Sequence, residues 1–342
     1  MISRDRISRR ALIAAGFSAA SYAPIANAQQ PPDAGIAKKR LLRIIVPFPA
    51  GGPTDALARI LADELKSSGD RPVIVENKPG ASGTIGTRAV LHAPADDFTV
   101  LLGNIQTHAT APFLIKDAGY DPIADFVPIC GLVDMHHVLV VRKDWGITSV
   151  AVLIERAKAT PGKLNFGSTG VGSGSHLAME LFMSRTGTKM QHVPYQGAAQ
   201  MAGEIAAGRL DLALAVLPTV TAPIEAGQIA ALAVASKSRA IQLPTVPTLS
   251  EQGVDGAEAE SWLALFSRTP AASANPGLTE HLGTSIYGPI IRDRLARPDV
   301  QARVEKLGLS LALRQGFEFR AFQSAEIERW GAIIRSIGLK PE

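Results

Sequence analysis

Apolar runs and amphipathic stretches alternate along the chain from residue 42 onward. Residues 42–48 are apolar apart from Arg43, as expected of a buried strand. From Pro53, Leu57, Ile60, Leu61 and Leu65 recur at helical spacing and mark one face of a helix. A strand at 73–75, a turn-rich loop, a helix near 87–92 and a strand at 99–102 follow. A second set comprises a strand at 138–141, a helix at 150–159 stopped by Pro161 and Gly162, and a strand at 164–166. A Gly/Ser loop then leads to a helix at 177–184, a strand at 191–194, a helix at 198–207 and strands at 210–216 and 229–235. The Pro-rich segment 243–248 is a connector and 261–266 resumes strand character. Helical periodicity returns at 300–307 and 321–337. No repeat of fixed length is present. This alternation predicts α/β layers with mostly parallel strands. The length of 342 residues predicts two domains, because single cores rarely grow beyond about 250 residues.

The N-terminus reads differently. Ser8, Arg9 and Arg10 precede an apolar stretch at 11–20, and Ala26-Asn27-Ala28 offers a small-x-small cleavage site. That order predicts a secretory signal peptide over residues 1–28, cleaved near Ala28, and a periplasmic mature protein. The paired arginines favour the twin-arginine route, with an ordinary export signal as the alternative. The apolar stretch is shorter than the roughly 20 residues a bilayer requires, so no membrane insertion is expected after signal removal. Residues 29–40 are read as a flexible lead-in.

Removing the leader changes the charge picture. Four of the 35 Lys+Arg and one of the 31 Asp+Glu lie within it, leaving 31 against 30. The basic character therefore belongs to the leader. With 5% aromatic residues and no basic run beyond Lys38-Lys39-Arg40, nucleic-acid binding has no support. Cys130 stands alone, so neither an intrachain disulfide nor a cysteine-based zinc site can form.

Two strand-to-helix loops could carry chemistry. The first, 47–55, contains Gly51 and Gly52 ahead of Pro53, Thr54 and Asp55. Glycines permit close backbone approach, and the unpaired N–H groups of a helix start can hold a carboxylate or phosphate. A plain tight turn capped by Thr54 or Asp55 is the alternative. The second loop, 167–176, supplies four glycines, three serines, Thr169 and His176, hence many small donors without bulk. A flexible linker would not sit between a strand and an amphipathic helix, so ligand binding is favoured here. A third loop, 76–86, spaces its glycines as GxxGxxG and fails the dinucleotide fingerprint. It reads as a structural turn. No GxSxG or HExxH occurs, and His136-His137 cannot face one metal as an i,i+4 pair would. No metal, cofactor or catalytic residue is expected. A Ser168 or Ser173 nucleophile with His176 as base keeps an exported hydrolase as a rival reading.

In their order, these segments resemble the substrate-binding proteins of tripartite tricarboxylate transporters, the Bug family. The matching stretches are RIIVPFPAGGPTD at 43–55, VENKPGASGTIG at 75–86, YDP at 120–122, DFVP at 125–128, GSTG at 167–170, Gly172-Ser173, His176-Leu177, VPYQG at 193–197 and PTVPT at 244–248. The resemblance runs from about residue 42 to the C-terminus. It implies a type II-like periplasmic binding protein in two α/β lobes, each a mostly parallel sheet flanked by helices, with the ligand cleft between them. Residues 41–135 and 260–342 would form one lobe and 136–259 an inserted second. The implied function is capture of a small organic carboxylate for membrane transporter subunits, without catalysis. A sensor with a membrane signalling partner would present the same cleft.

The implied ligand contacts are Phe48, Pro49, Ala50, Gly51, Gly52, Thr54 and Asp55 from the first loop, and Ser168, Thr169, Gly170, Gly172, Ser173 and His176 from the second. The family adds Asn104, Thr107 and His108, and Tyr195, Gln196 and Gly197 from the far side. Three departures stand out. The turn at 94–99 lacks the family's glycine, Gln196 replaces a frequent lysine, and 268–287 fits the family pattern poorly. Because the candidate loops contain neither Lys nor Arg, a monocarboxylate, aromatic or amide-bearing, or a zwitterion is expected to bind better than citrate.

Overall fold

The computed structural model describes residues 40–67, 72–94, 98–269 and 287–341. The leader at 1–28, nearly all of the 29–40 lead-in, the altered turn at 95–97 and most of the atypical 268–287 stretch lie outside the described residues.

Strands β1 (Leu42–Val46), β2 (Val73–Asn77) and β3 (Thr99–Asn104) run parallel, with β1 between the other two. Helices α1 (Pro53–Ser67) and α2 (Thr84–Leu91) make the connections. Pro53 opens α1, where its missing N–H costs nothing, and Asp55 and Lys66 complement the helix dipole at the two ends. After β3 a π-helical turn (Gln106–Thr110) passes into the short α3 (Ala111–Leu114).

Strand β4 (Phe126–Arg142) holds the sheet together. Over Phe126 to His136 it pairs antiparallel with β9 (Glu260–Arg268), and over Cys130 to Asp134 also with β10 (Ser310–Gln315). From His137 onward its partners are β7 (Leu212–Val216) and β8 (Ile229–Val234). The partner switch falls between His136 and His137. Beyond β7 lie β5 (Asn165–Ser168) and β6 (Gln191–Pro194), parallel to one another, with β5 also parallel to β7.

The sheet is therefore mixed. Parallel strands form each end, as the alternation predicts, and antiparallel pairings fill the middle. The reason is topological: β4 carries the chain out of the first half and β9 brings it back alongside, so the two must run in opposite directions.

Helices α4 (Val150–Ala159), α5 (Gly174–Thr186) and α6 (Ala198–Ala206) serve the second half, followed by α7 (Leu217–Glu225). Helices α8 (Gly288–Leu295), α9 (Pro298–Lys306) and α10 (Gly316–Ile337) complete the chain. The sequence reading lacks α7 because Pro218 and Pro223 interrupt its periodicity. It shortens β4 because Gly131, Asp134 and two histidines break the apolar run.

Both faces of the sheet are covered, which explains the unbroken apolar strands. In β1, Leu42, Ile44 and Val46 join one core while Ile45 joins another; in β4, Leu139 and Val141 part in the same way from Val138 and Val140. One core runs beneath both halves of the sheet, built from α5 (Leu177, Phe182), Trp262, Phe266 and α10 (Phe319, Trp330, Ile334). This shared core fixes the two candidate loops relative to each other.

Candidate functional site

A cavity of about 360 Å³ opens where three helices begin. The start of α1 contributes Phe48, Pro49, Ala50, Gly52, Pro53 and Thr54 to its wall, and the start of α5 contributes Thr169, Ser173, Gly174 and Ser175. The start of α6 contributes Gln196, Gly197, Ala198, Ala199, Gln200 and Met201. The remainder comes from Asn104, Ile105 and Gln106 after β3, and from Met135, His137, Val216 and Ser261 on the crossing strands and β7. First-turn N–H groups have no acceptor within their own helix, so three sets of donors and three positive dipole ends meet one space. The described wall carries no Lys, Arg, Asp or Glu.

Side chains behind the wall hold these loops in place. The Asp55 carboxylate accepts from Gly51 N–H (3.0 Å), Asn77 Nδ2 (3.0 Å) and the Arg59 guanidinium (3.0 Å), and Asn77 also donates to the Phe48 carbonyl. Burial pushes the Asp55 carboxyl up, but these donors outweigh it and hold its pKa below the usual value. Ser173 caps α5 by accepting from His176 N–H (3.2 Å), and Ser175 Oγ accepts from Thr169 N–H (3.0 Å). Across from this loop, Gln106 Nε2 donates to the Val171 carbonyl (2.9 Å) and Thr110 Oγ1 to the Gly172 carbonyl (2.7 Å). Those two bonds tie the turn after β3 to the loop before α5.

Residues 57–339 match the family described as "Tripartite tricarboxylate transporter family receptor" (TctC). The chain belongs to this family. Family members are periplasmic binding proteins, and no described helix is long and apolar enough to cross a membrane. Protein BugT of Bordetella pertussis is 32% identical to this TctC-family chain over 302 residues, covering 88% of this chain and 90% of BugT. The solved structure "R. palustris Rpa4515 with adipate" superposes with a TM-score of 0.82 at 32% identity, covering 89% of this chain and 99% of that one. "MatC (Rpa3494) from Rhodopseudomonas palustris with bound malate" gives 0.77 at 26% identity, covering 86% and 99%. These neighbours are two-lobed periplasmic binding proteins, so the α/β fold expected from the sequence is the fold of this TctC-family member.

Among the residues singled out in the sequence, the structure gathers Phe48, Pro49, Ala50, Gly52, Thr54, Asn104, Thr169, Ser173, Gln196 and Gly197 on the cavity wall. Gly51, which is exposed, and Asp55, which is buried, do not line it and are joined to each other by the bond described above. Thr107 and His108 turn into the interior. Thr107 exchanges hydrogen bonds with Asn104 and contacts His108 Nδ1 (2.9 Å), and the His108 ring stacks on Phe266 with centroids 3.8 Å apart. Burial, with a smaller contribution from Arg320, lowers the His108 pKa to about 3, so it is a neutral core histidine.

Ser168 is fully buried off the wall. Its Oγ lies 2.6 Å from His192 Nε2 and accepts from Gly170 N–H (3.1 Å). Gly170 and Gly172 shape the same loop from behind. Tyr195 packs against the core of the second half, and its N–H donates to the Ser168 carbonyl.

His176 also belongs to the loop's support. Its Nδ1 accepts from Gly172 N–H (3.2 Å), its Nε2 faces Glu180 at 3.6 Å, and its ring stacks on His192 at 4.0 Å. Neither ring nitrogen bonds the Ser168 or the Ser173 hydroxyl, so the pairing of His176 with either serine that the hydrolase reading requires is not assembled among the described residues. Burial, then the neighbouring His176, lowers the His192 pKa to about 4, which makes His192 a weak base for Ser168.

A direct consequence concerns Ser168→Ala. Because the hydroxyl bonds to Gly170 and His192 and does not line the cavity, the variant should lose about 1–3 kcal/mol of folding stability. Its ligand affinity should remain within about threefold of wild type, since only internal bonds to Gly170 and His192 are removed and no wall contact. Denaturant titration and calorimetry together read both numbers. A tenfold loss of affinity at unchanged stability would place the hydroxyl in the site.

Sequence reasoning missed the first turn of α6 beyond Gly197, and the crossing-strand residues Met135, His137 and Ser261. The α6 turn was visible only as a helix start lacking a capping side chain. His137 carried a usable signal: a histidine entering an otherwise apolar strand.

Proposed function

We propose that the mature chain is a periplasmic receptor that captures one small organic carboxylate in this cavity and presents it to membrane transporter subunits, without catalysis. The observation that carries the reading is the convergence of three helix N-termini on a wall without charged side chains. Oriented N–H groups and dipole ends attract an anion, and each terminus contributes about 0.3–1 kcal/mol where exposed and up to about 2 kcal/mol where partly buried. A cavity of about 360 Å³ sits at the lower end of small-molecule sites. The adipate and malate held by the two neighbours named above support a carboxylate ligand.

We further take residues 41–135 with 260–342 as one lobe and 136–259 as the inserted lobe. The partner switch of β4 at His136/His137 and the start of β9 at Glu260 support these bounds. The proposed ligand contacts are the wall residues at the three helix starts. Residues 1–28 are proposed to direct export and to be removed near Ala28.

The test is native mass spectrometry of protein recovered from the periplasmic fraction. The expected spectrum shows a chain beginning near Gln29, carrying one small acid in stoichiometric amount, which is released unchanged on unfolding. A chain that keeps its leader contradicts the export reading, and an acid that the protein converts to product contradicts the receptor reading.

A further inference from the structure

His137 occupies the position where β4 changes partners, and its ring is buried at 1% exposure on the cavity wall. Its Nδ1 lies 2.8 Å from the Ala259 carbonyl oxygen. A carbonyl can only accept, so Nδ1 carries the proton and Nε2 of the neutral ring is a bare acceptor. Burial lowers the pKa of the group to about 4, only partly opposed by the Ala259 carbonyl, so the ring is neutral near pH 7. Nε2 is itself buried and has no hydrogen-bond partner in the protein. Buried polar atoms in native proteins are rarely left unpaired, and an unpaired one calls for an explanation.

Gly174 supplies it. A Cβ at position 174 would stand 3.0 Å from His137 Nε2 and collide with Ser261 Oγ. Only a glycine lets the start of α5 pack this closely against both atoms, and all three residues lie on the wall of the same cavity. The polar atom left over at this end of the site is therefore an acceptor, with a hydroxyl beside it and no cation on the wall.

We propose that His137 Nε2, with Ser261 Oγ, forms a subsite that recognises a hydrogen-bond donor on the ligand. The protein thereby selects monocarboxylates bearing a primary amide or hydroxyl over dicarboxylates of equal length. A second carboxylate would place an acceptor against the Nε2 lone pair and bury a charge without a counter-ion. An amide N–H satisfies Nε2, and Ser261 can donate to the amide oxygen. A site built around a buried polar atom rejects ligands that leave it unpaired more strongly than an apolar pocket rejects a wrong shape. This inference rests on the carboxylate-binding reading of the cavity.

Two matched series test it by calorimetric titration into the mature protein: butanoate, succinamate and succinate, then hexanoate, adipamate and adipate. In at least one series the amide acid should bind about three- to tenfold tighter than the plain acid, the value of one neutral hydrogen bond, and tighter still than the diacid. His137→Phe should erase the preference of amide acid over plain acid while leaving a measurable affinity for the plain acid. Imidazole nitrogen NMR of the wild type provides a second reading that does not depend on the variant folding. The His137 Nε2 resonance should shift from its bare position with the amide acid and not with the plain acid.

Binding of the plain acids with no gain from the amide, or tightest binding of the diacids in both series, overturns the subsite and leaves the carboxylate reading intact. Failure of all six acids to bind overturns the carboxylate reading and the subsite with it.

Discussion

Gly52→Val should fold normally and lose more than about 100-fold in affinity for small acids, a deficit of about 2.7 kcal/mol or more. Gly52 lies on the cavity wall at the start of α1, and a Cβ there would meet only the Pro49 carbonyl oxygen at 3.8 Å. The added carbons therefore enter the cavity without striking protein. They fill the space beside the first-turn N–H groups of α1, where an anion gains most from the helix terminus. The folding midpoint should change little, because no core contact is altered. Normal binding by this variant would mean that the ligand sits elsewhere.

The second large effect concerns stability and leaves the cavity wall untouched. Phe319 of α10 is fully buried with its ring against Trp262, Phe266 and Phe322, at centroid distances of 5.1, 5.8 and 5.6 Å. Phe319→Ala should cost about 3–5 kcal/mol, the range for removing a buried aromatic side chain, and should lower the midpoint of denaturant unfolding accordingly. Gly131 of β4 lies directly beneath that ring, and a Cβ there would collide with Phe319 Cδ2. Gly131→Ala should therefore be clearly destabilising alone and much less so in the Phe319→Ala background, a non-additivity expected of residues in contact. Equal costs in both backgrounds would show that the strand shifts to accept the methyl group.

Much of this architecture is legible in the sequence because strand burial and helix amphipathicity leave different periods. Helix α4 and strand β6 emerge from pattern alone with the bounds they have in the structure. The outward-and-return pairing of β4 with β9 does not, because strand direction depends on where the chain has come from and not on local residue type. Strand β10 is half-buried along its whole length and carries Arg314 paired with Asp134, so its signal is mixed.

For the site, the glycines and small hydroxyl residues marked two of the three helix starts. They could not separate wall from support. Ser168 and Ser173 are the same residue type five positions apart, yet one bonds His192 in the interior and the other lines the cavity. Asp55 looked like a contact and serves as the anchor of Gly51. The third helix start has no capping side chain to announce it, and His137 reaches the cavity only because β4 changes partners there.

The proposed receptor recognises a carboxylate through helix N-termini and not through charged side chains. Calorimetric titration of one small acid and of its methyl ester, near neutral pH and at two salt concentrations, tests it most directly. The expected result is one acid per chain, no measurable heat from the ester, and only a weak salt dependence, because the interaction is buried. Equal binding of acid and ester would contradict it.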